Sequence, residues 1–328
     1  MKILLVNVDS RWNMAIRKMY NFFIKDNEVE MIDLGFSFYP HKKTKIIDAT
    51  EYDKVFVSNI FETNANRVIV ENCSDVTFGG IGSKNPHLQL PEEIENTEPF
   101  YFPDENTSYG FITRGCVRNC WFCKVPKYEG KLKEYNNIES IVKHKKVKFL
   151  DNNILAYPHH MKVFQWCLDH PDIKVEFNQG LDFRLVNDEN LEALSKLNYL
   201  SYTYIFAFDE PKYQPLLEKK IVLIKKWIPK PWKVQFYIYY HPDMDLKQLI
   251  DRVEWCRKHK CLPYVMRDIA CWDCDNKNFL IDYTAYCNQP SMFKNLTFAE
   301  FLVKRQENRS IKEERRIQSL KIYNENYK

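Results

Sequence analysis

The chain has 328 residues, of which 45% are hydrophobic and 28% are charged, and its formal net charge is +4. This composition is typical of a globular protein, and no apolar run approaches the roughly 20 residues that a transmembrane helix needs. A charge so close to zero also argues against a nucleic-acid-binding surface that covers the whole molecule. The short apolar run at the N-terminus, "MKILLVNV", ends at Asp9, too early for a secretory signal peptide. We therefore expect a cytoplasmic protein.

The ten cysteines support a reducing compartment. They are unevenly spaced, and most lie singly in apolar segments, whereas a secreted disulfide framework would be dense and regular.

Strand and helix patterns alternate along the first 83 residues. Apolar runs predict strands and helical spacing predicts helices in this order: strand 2–8, helix 14–25, strand 29–34, strand 54–60, helix 65–72 and strand 76–80. Such alternation predicts a small α/β domain with a parallel sheet. Residues 84–107 hold four prolines among many polar residues, which predicts an extended linker.

A second alternating series occupies residues 108–289. Strands are predicted at 109–113, 147–151, 175–178, 204–208, 234–240 and 262–267, and helices at 138–143, 160–169, 188–197, 212–227 and 246–258. Six strand–helix repeats are too few for a closed eight-stranded barrel, so we expect a partial (β/α)6 barrel of parallel strands. Residues 290–328 are predicted to form a charged helical extension, exposed and without a further core.

Three cysteines lie on the loop after the first strand of this second series, in "RGCVRNCWFCK" from Arg114 to Lys124. Active sites of parallel α/β barrels form at the carboxyl ends of the strands, where this loop lies. Thiolates suit zinc or iron–sulfur clusters. A structural zinc ion needs four protein ligands, whereas three cysteines leave one iron of a four-iron cluster open to another ligand. The spacing therefore favours an open iron–sulfur site.

The motif Cys116-x-x-x-Cys120-x-x-Cys123, with Phe122 before its last cysteine, resembles that of the radical S-adenosylmethionine (radical SAM) superfamily, and the resemblance extends over about residues 105–290. It implies a [4Fe-4S] cluster on the three cysteines, whose fourth iron chelates S-adenosyl-L-methionine. It also implies reductive cleavage of that cofactor to a 5′-deoxyadenosyl radical, hydrogen abstraction from an unknown substrate, and an external electron donor of flavodoxin or ferredoxin type.

The resemblance also suggests cofactor-binding residues at the ends of the next strands. "FLDNN" ends the second barrel strand, where the superfamily usually has Gly-Gly-Glu, and "NQGLDFR" and "FAFDEP" follow the third and fourth strands. Arg184 is the expected partner of the methionine carboxylate, because its guanidinium fork matches a carboxylate. The other candidates are the motif aromatic Phe122 and these hydrogen-bonding side chains: Asp151, Asn152, Asn153, Gln179, Asp182 and Asp209.

The remaining cysteines leave several interpretations open. Cys271-Trp-Asp-Cys274 could be part of an auxiliary metal site, or Cys271 could be a reactive thiol near the barrel mouth. The simplest interpretation is a buried apolar residue. Cys73 and Cys167 are expected in the core.

The N-terminal domain resembles the Rossmann-like domain of the cobalamin-binding branch of the superfamily, in element order and in "MKILLVN". The Asp-x-His-x-x-Gly signature of that branch is missing, because "IDLGFSF" has the aspartate but no histidine. This argues against cobalamin as a cofactor, although some members of that branch lack the histidine.

A different class of function is a zinc-stabilised nucleic-acid-binding module without catalysis, in which a distant ligand completes a zinc site on the triplet. Basic stretches such as 142–148 and 218–233 are candidates for nucleic-acid contact, although lysines on outer helices are usually only solvated. Zinc and a steep salt dependence of binding would favour this alternative. No membrane partner is expected.

Overall fold

The computed structural model describes residues 1–10, 12–35 and 44–327. It divides into two compact units. The first comprises Met1–Gly110 and Arg118–Gly130, and the second comprises Phe111–Val117 and Lys131–Lys328. Both units combine parallel strands with helices, which confirms the predicted α/β class.

The first unit is built around a parallel sheet in the order β2-β1-β4-β6. Its strands are β1 (Lys2–Asn7), β2 (Glu28–Asp33), β3 (Lys45–Asp48), β4 (Lys54–Ser58), β5 (Val68–Glu71), β6 (Val76–Gly79) and β7 (Thr107–Gly110), and its helices are α1 (Met14–Phe23), α2 (Glu92–Glu95) and α3 (Val125–Tyr128). The central strand β1 is buried on both faces. Ile3 and Leu5 pack with α1, while Leu4 and Val6 face a second apolar cluster. This explains why β1 reads as an unbroken apolar run.

The predicted helix over 65–72 is wrong. Its residues "VIVE" form β5, which pairs in parallel with β3, a strand that the sequence analysis missed. β-Branched side chains favour the pleated backbone, and pairing with β3 satisfies the hydrogen bonds of both short strands.

The segment predicted to be a linker, 84–107, packs against α1. Glu105 forms a bidentate ion pair with Arg17, with both N–O distances at 2.7 Å. Lys18 donates to the carbonyl of Glu95, and the Phe100 ring lies 4.4 Å from that of Tyr20. The segment thus lacks long helices and strands, but side-chain contacts fix it against α1.

Residues 118–130 return to the first unit after an excursion of the chain into the second. Lys124 forms an ion pair with Glu62, and the Tyr128 ring lies 5.1 Å from the His87 ring.

The second unit contains the parallel strands of the predicted barrel region. Its strands are β8 (Thr113–Arg114), β9 (Lys133–Glu134), β10 (Lys146–Phe149), β11 (Lys174–Phe177), β12 (Tyr204–Ala207), β13 (Val234–Tyr240) and β14 (Leu262–Arg267). The longer helices are α5 (His160–Asp169), α6 (Asp188–Lys196), α7 (Gln214–Trp227), α8 (Leu246–Lys258) and α9 (Lys277–Cys287), and α4 (Ile138–Ile141) is a single turn. The predicted strands 234–240 and 262–267 and helices 160–169 and 246–258 are confirmed residue for residue.

The strands of the second unit follow one another in space as they do along the chain. β10 pairs with β11, and β12, β13 and β14 pair in that order, all in parallel. Isolated parallel bridges, Val175 with Tyr199 and Leu181 with Phe206, connect the two groups. The carboxyl ends of β10 to β14 therefore lie along one edge.

The C-terminal helices α10 (Pro290–Asn295), α11 (Phe298–Glu307) and α12 (Glu313–Asn326) differ from the prediction of an exposed extension. Phe293, Phe298, Phe301 and Leu302 are at most 4% exposed and belong to the main core of the second unit. The abundance of charge in this segment concealed a narrow apolar stripe.

Within the described ranges, no helix combines enough length with enough apolar character to cross a bilayer.

Candidate functional site

The candidate site lies at the carboxyl edge of the second unit, where the loop with Cys116 begins. Thr113 and Arg114 form β8 and pair antiparallel with β9. The Arg114 guanidinium lies 4.1 Å from the centre of the Phe111 ring. Gly115 then has φ of 77°, in the left-handed region that glycine adopts without steric cost. The turn at Gly115 directs the chain away from β8 immediately before Cys116.

Asp151, one of the predicted cofactor-binding residues, contacts the start of this loop. Its carboxylate accepts hydrogen bonds from the Thr113 backbone N–H at 2.6 Å, the Thr113 hydroxyl at 2.7 Å and the Ile112 N–H at 3.3 Å. Burial raises the pKa of Asp151, and these hydrogen bonds oppose the shift. The carboxyl end of β10 is thereby tied to the start of the cysteine loop.

Asn153 connects Cys116 with the residues after β11. Its side-chain Nδ2 lies 4.0 Å from Cys116 Sγ and donates to Asp182 Oδ2 at 3.2 Å. Its Oδ1 atom is buried and has no hydrogen-bond partner in the described part of the chain. A buried acceptor without a donor is energetically costly, so this atom is a place where a ligand could donate.

Asp182 and Arg184 form a bidentate pair beside Asn153. Arg184 Nε lies 2.6 Å from Asp182 Oδ1, and Nη2 lies 3.0 Å from Oδ2. The Tyr213 ring packs 4.7 Å from the guanidinium carbon. Arg184 is thus at the predicted edge of the sheet, but an intramolecular carboxylate already occupies two of its donors.

Asp209 lies at the end of β12 and is half-buried. Its carboxylate accepts a hydrogen bond from the Tyr239 N–H at 3.2 Å. Burial raises its pKa to about 6, and the positive charges of Arg252 and Arg184 limit the rise. Arg252 is fully buried, and its Nη1 donates to the carbonyls of Phe208, Asp209 and Tyr239.

The five other candidates lie after β10, after β11 or in the stretch 118–130. Gln179 is exposed and Asn152 is half-buried. The first unit contains Cys120, Phe122 and Cys123, within its segment Arg118–Gly130. There the Phe122 ring meets the Trp121 ring edge-on at 5.7 Å, and the Cys123 N–H donates to the Cys120 carbonyl at 2.9 Å.

The sequence analysis missed a polar group at the ends of β13 and β14. The Tyr239 hydroxyl donates to Asp268 at 2.7 Å, and His241 Nε2 lies 3.9 Å from the same carboxylate. The signal was present in "VQFYIYY", because Gln235, Tyr237 and Tyr239 alternate with fully buried residues. They therefore share the face of β13 opposite its helices, and Asp268 follows the next strand.

All ten cysteines lie within the described residues, and none forms a disulfide. The motif cysteines are half-buried, whereas Cys167, Cys256, Cys261, Cys271 and Cys287 are buried. Burial raises the pKa of Cys167 and Cys271 to about 12, so these thiols are protonated at neutral pH. The structure thus places Cys271 in the core, where its sulfur lies 3.7 Å from the Tyr240 carbonyl.

Among residues 1–10, 12–35 and 44–327, no group of three or more His, Cys, Asp or Glu side chains has the arrangement of a metal site. The cysteine ligand set and the auxiliary site at Cys271 and Cys274 remain predictions.

No model of a known protein family matches the chain, and no curated protein matches it significantly.

Proposed function

We propose that this protein is a radical S-adenosylmethionine enzyme, with a partial (β/α)6 barrel in its second unit and a Rossmann-like first unit. The support from the structure is one set of contacts. Cys116 lies beside Asn153, Asn153 bonds Asp182, and Asp182 pairs with Arg184. A motif cysteine and three residues expected to bind the cofactor thus meet at one edge of the parallel strands.

The residues fit a cluster with an open iron in two respects. Cys116, Cys120 and Cys123 are half-buried, so a metal can reach them, whereas most other thiols of the chain are sealed in the core. The unpaired acceptor Asn153 Oδ1 fits the ammonium group of a bound S-adenosylmethionine, which would satisfy it.

When bound, a [4Fe-4S] cluster and S-adenosylmethionine would supply one-electron cleavage of a sulfonium and removal of a hydrogen atom from a substrate. The three cysteines would hold the cluster. Asp151 keeps the cysteine loop on β10, and Asn153, Asp182 and Arg184 would bind the amino acid and ribose portions of the cofactor. The protein supplies binding and orientation, while the chemistry belongs to the cofactors.

The test is anaerobic reconstitution with iron and sulfide. We expect about four irons per chain in the wild type and near zero in the variant Cys116→Ala/Cys120→Ala/Cys123→Ala. Cys73→Ala is the matched control, because it removes a half-buried thiol outside the motif. Electron paramagnetic resonance of the reduced protein should show a cluster signal that changes shape when S-adenosylmethionine is added.

Three results would contradict the proposal in whole or in part. Equal iron content in the wild type and the triple variant would show that the motif cysteines do not bind the metal. Stoichiometric zinc without iron would favour the structural zinc module. A cluster signal whose shape does not change when S-adenosylmethionine is added would contradict an iron that is open to this cofactor. The cysteines would still be the cluster ligands.

A further inference from the structure

The edge of the second unit opposite the candidate site is rich in lysine. The amino ends of parallel strands lie together, and the loops that precede β10 to β14 end there. We call the following six lysines the basic edge: Lys145, Lys174, Lys230, Lys233 and Lys260 at or before the amino ends of strands, and Lys294 on α10. The carboxyl edge carries Asp151, Asp182, Asp209 and Asp268 instead.

Backbone hydrogen bonds connect several of these loops. The Lys174 N–H donates to the Lys145 carbonyl at 2.7 Å. The Tyr204 N–H donates to the Lys233 carbonyl at 2.9 Å, and the Trp232 N–H donates to the Lys260 carbonyl at 2.7 Å. Lys145 therefore lies next to Lys174, and the loop that carries Lys233 lies next to the one that carries Lys260.

Two of these loops have a fixed and unusual backbone. Trp232 has φ of 65° and Lys260 has φ of 50°. A residue other than glycine takes this left-handed conformation only where its surroundings hold it there. Their mutual hydrogen bond is one such constraint. The loops therefore present Lys230, Lys233 and Lys260 in one defined arrangement.

The positive charge of this edge is not neutralised internally. In the part of the chain that the structure describes, none of the six ammonium groups forms an ion pair with a carboxylate. The acids near Lys174 are Asp169 at the end of α5, Asp172 in the loop before β11 and Glu176 within β11. Asp169 accepts a hydrogen bond from Gln165, and Glu176 pairs with Lys148 at 3.0 Å. Lys145, Lys174, Lys230 and Lys260 are exposed.

An exposed aromatic ring lies within the basic edge. Tyr202 is 60% exposed, and the ammonium groups of Lys233 and Lys294 lie 4.2 and 5.7 Å from its ring centre. Proteins that bind single-stranded nucleic acid combine a row of cations with aromatic rings on which bases stack. An anionic lipid surface would use the charges but has no need of a fixed ring.

We propose that the basic edge binds a single-stranded nucleic acid, with the lysines on consecutive phosphates and Tyr202 stacked on a base. This inference is independent of the cysteine triplet and goes beyond the proposed function. It assigns a docking surface on the side of the sheet opposite the candidate site. The local character of the surface agrees with a net charge of only +4.

The experiment uses the full chain without a cluster and a fluorescein-labelled single-stranded RNA of about 20 nucleotides. Binding is measured by fluorescence anisotropy between about 50 and 200 mM salt. The variant Lys230→Glu/Lys233→Glu/Lys260→Glu should bind much more weakly and reduce the slope of log K against log salt by about 2, since each phosphate contact contributes about 0.7. Tyr202→Ala should weaken binding roughly tenfold with the slope unchanged.

The matched control is Lys162→Glu/Lys219→Glu/Lys304→Glu, which changes the net charge equally at exposed lysines on α5, α7 and α11. It should bind RNA almost as well as the wild type. Circular dichroism shows whether each variant is folded, and Lys145→Glu/Lys174→Glu replaces the first variant if that one unfolds.

Equal losses in the edge and control variants would overturn the proposal, because only net charge would then matter. Absence of RNA binding at about 50 mM salt would also overturn it. So would binding to vesicles that contain phosphatidylserine through the same lysines in place of RNA, since a membrane surface would then be the partner.

Discussion

At the scale of single residues, Asp151 has the most defined role in the candidate site. Its carboxylate has three donors on Ile112 and Thr113, two residues that are nearly or fully buried. The sequence predicted that this side chain binds the cofactor, and that role stays a prediction. Its hydrogen bonds to the neighbouring loop are a contact that the sequence did not predict.

We expect Asp151→Asn to lower the free energy of unfolding by about 1–3 kcal/mol, because its amide group would face the Ile112 N–H donor. Iron retention after reconstitution should fall as well, since the loop before Cys116 loses an anchor. Urea unfolding and iron analysis measure the two effects. Asp172→Asn, at an exposed aspartate, is the control, and equal changes in both variants would contradict a positioning role.

Asp209 makes stability depend on pH. Its pKa of about 6 in the folded state lies above the ordinary value of 3.8, so the folded protein binds more protons than the unfolded chain between these values. The stabilisation from the protonated form is complete below about pH 4 and is lost as the pH rises through about 6.

We therefore expect Asp209→Asn to gain stability relative to the wild type between about pH 4 and pH 7. The gain should be up to about 2 kcal/mol, because partial exposure reduces the effect. The asparagine keeps an acceptor for the Tyr239 N–H. Urea unfolding at both pH values measures the difference, and a pH-independent difference would show that Asp209 titrates normally.

At the scale of elements, Arg252 on α8 joins the ends of β12 and β13. Its buried Nη1 donates to three carbonyls. We expect Arg252→Met to lower the free energy of unfolding by about 3 kcal/mol, because these carbonyls would lose a charged donor. Lys258→Met, an exposed residue of the same helix, should change stability by less than about 0.5 kcal/mol. Both effects are measured by urea unfolding.

The C-terminal helices are attached through another buried charge. Asp282 on α9 is fully buried and accepts from Arg315 at 2.9 and 2.8 Å and from the Ser319 hydroxyl at 3.0 Å, and Arg305 lies at 2.9 Å. We expect Asp282→Ala to cost about 3 kcal/mol, because it leaves two arginines unpaired. Limited proteolysis should then cut near α12. Unchanged cleavage relative to Asp275→Ala would contradict this attachment.

The sequence predicted the elements of the second unit well, because strands such as β13 and helices such as α8 carry a strong period. The prediction failed where tertiary contacts determine the local structure. The short strands β3 and β5 depend on each other, and the packing of α11 depends on an apolar stripe among charges. The contact of Asp151 with Ile112 and Thr113 has little sequence signal, because two of its three donors are backbone groups.

At the scale of the whole molecule, the thiols fall into two classes. Buried thiols with a raised pKa react slowly, and half-buried ones are accessible. We expect iodoacetamide to label Cys73, Cys116, Cys120, Cys123 and Cys274 in the native protein, and the other five only after unfolding. Mass spectrometry identifies the sites. Rapid native labelling of Cys271 would contradict its burial, and cluster binding should protect only the motif cysteines.

The path of the chain between the two units determines when the first unit can complete its contacts during protein synthesis. The first unit includes residues 118–130, which supply the ion pair of Lys124 with Glu62 and the ring contact of Tyr128 with His87. A nascent chain that has emerged only to Gly110 lacks these contacts. The first unit therefore reaches its final set of interactions on the ribosome only after the whole cysteine motif has left the exit tunnel.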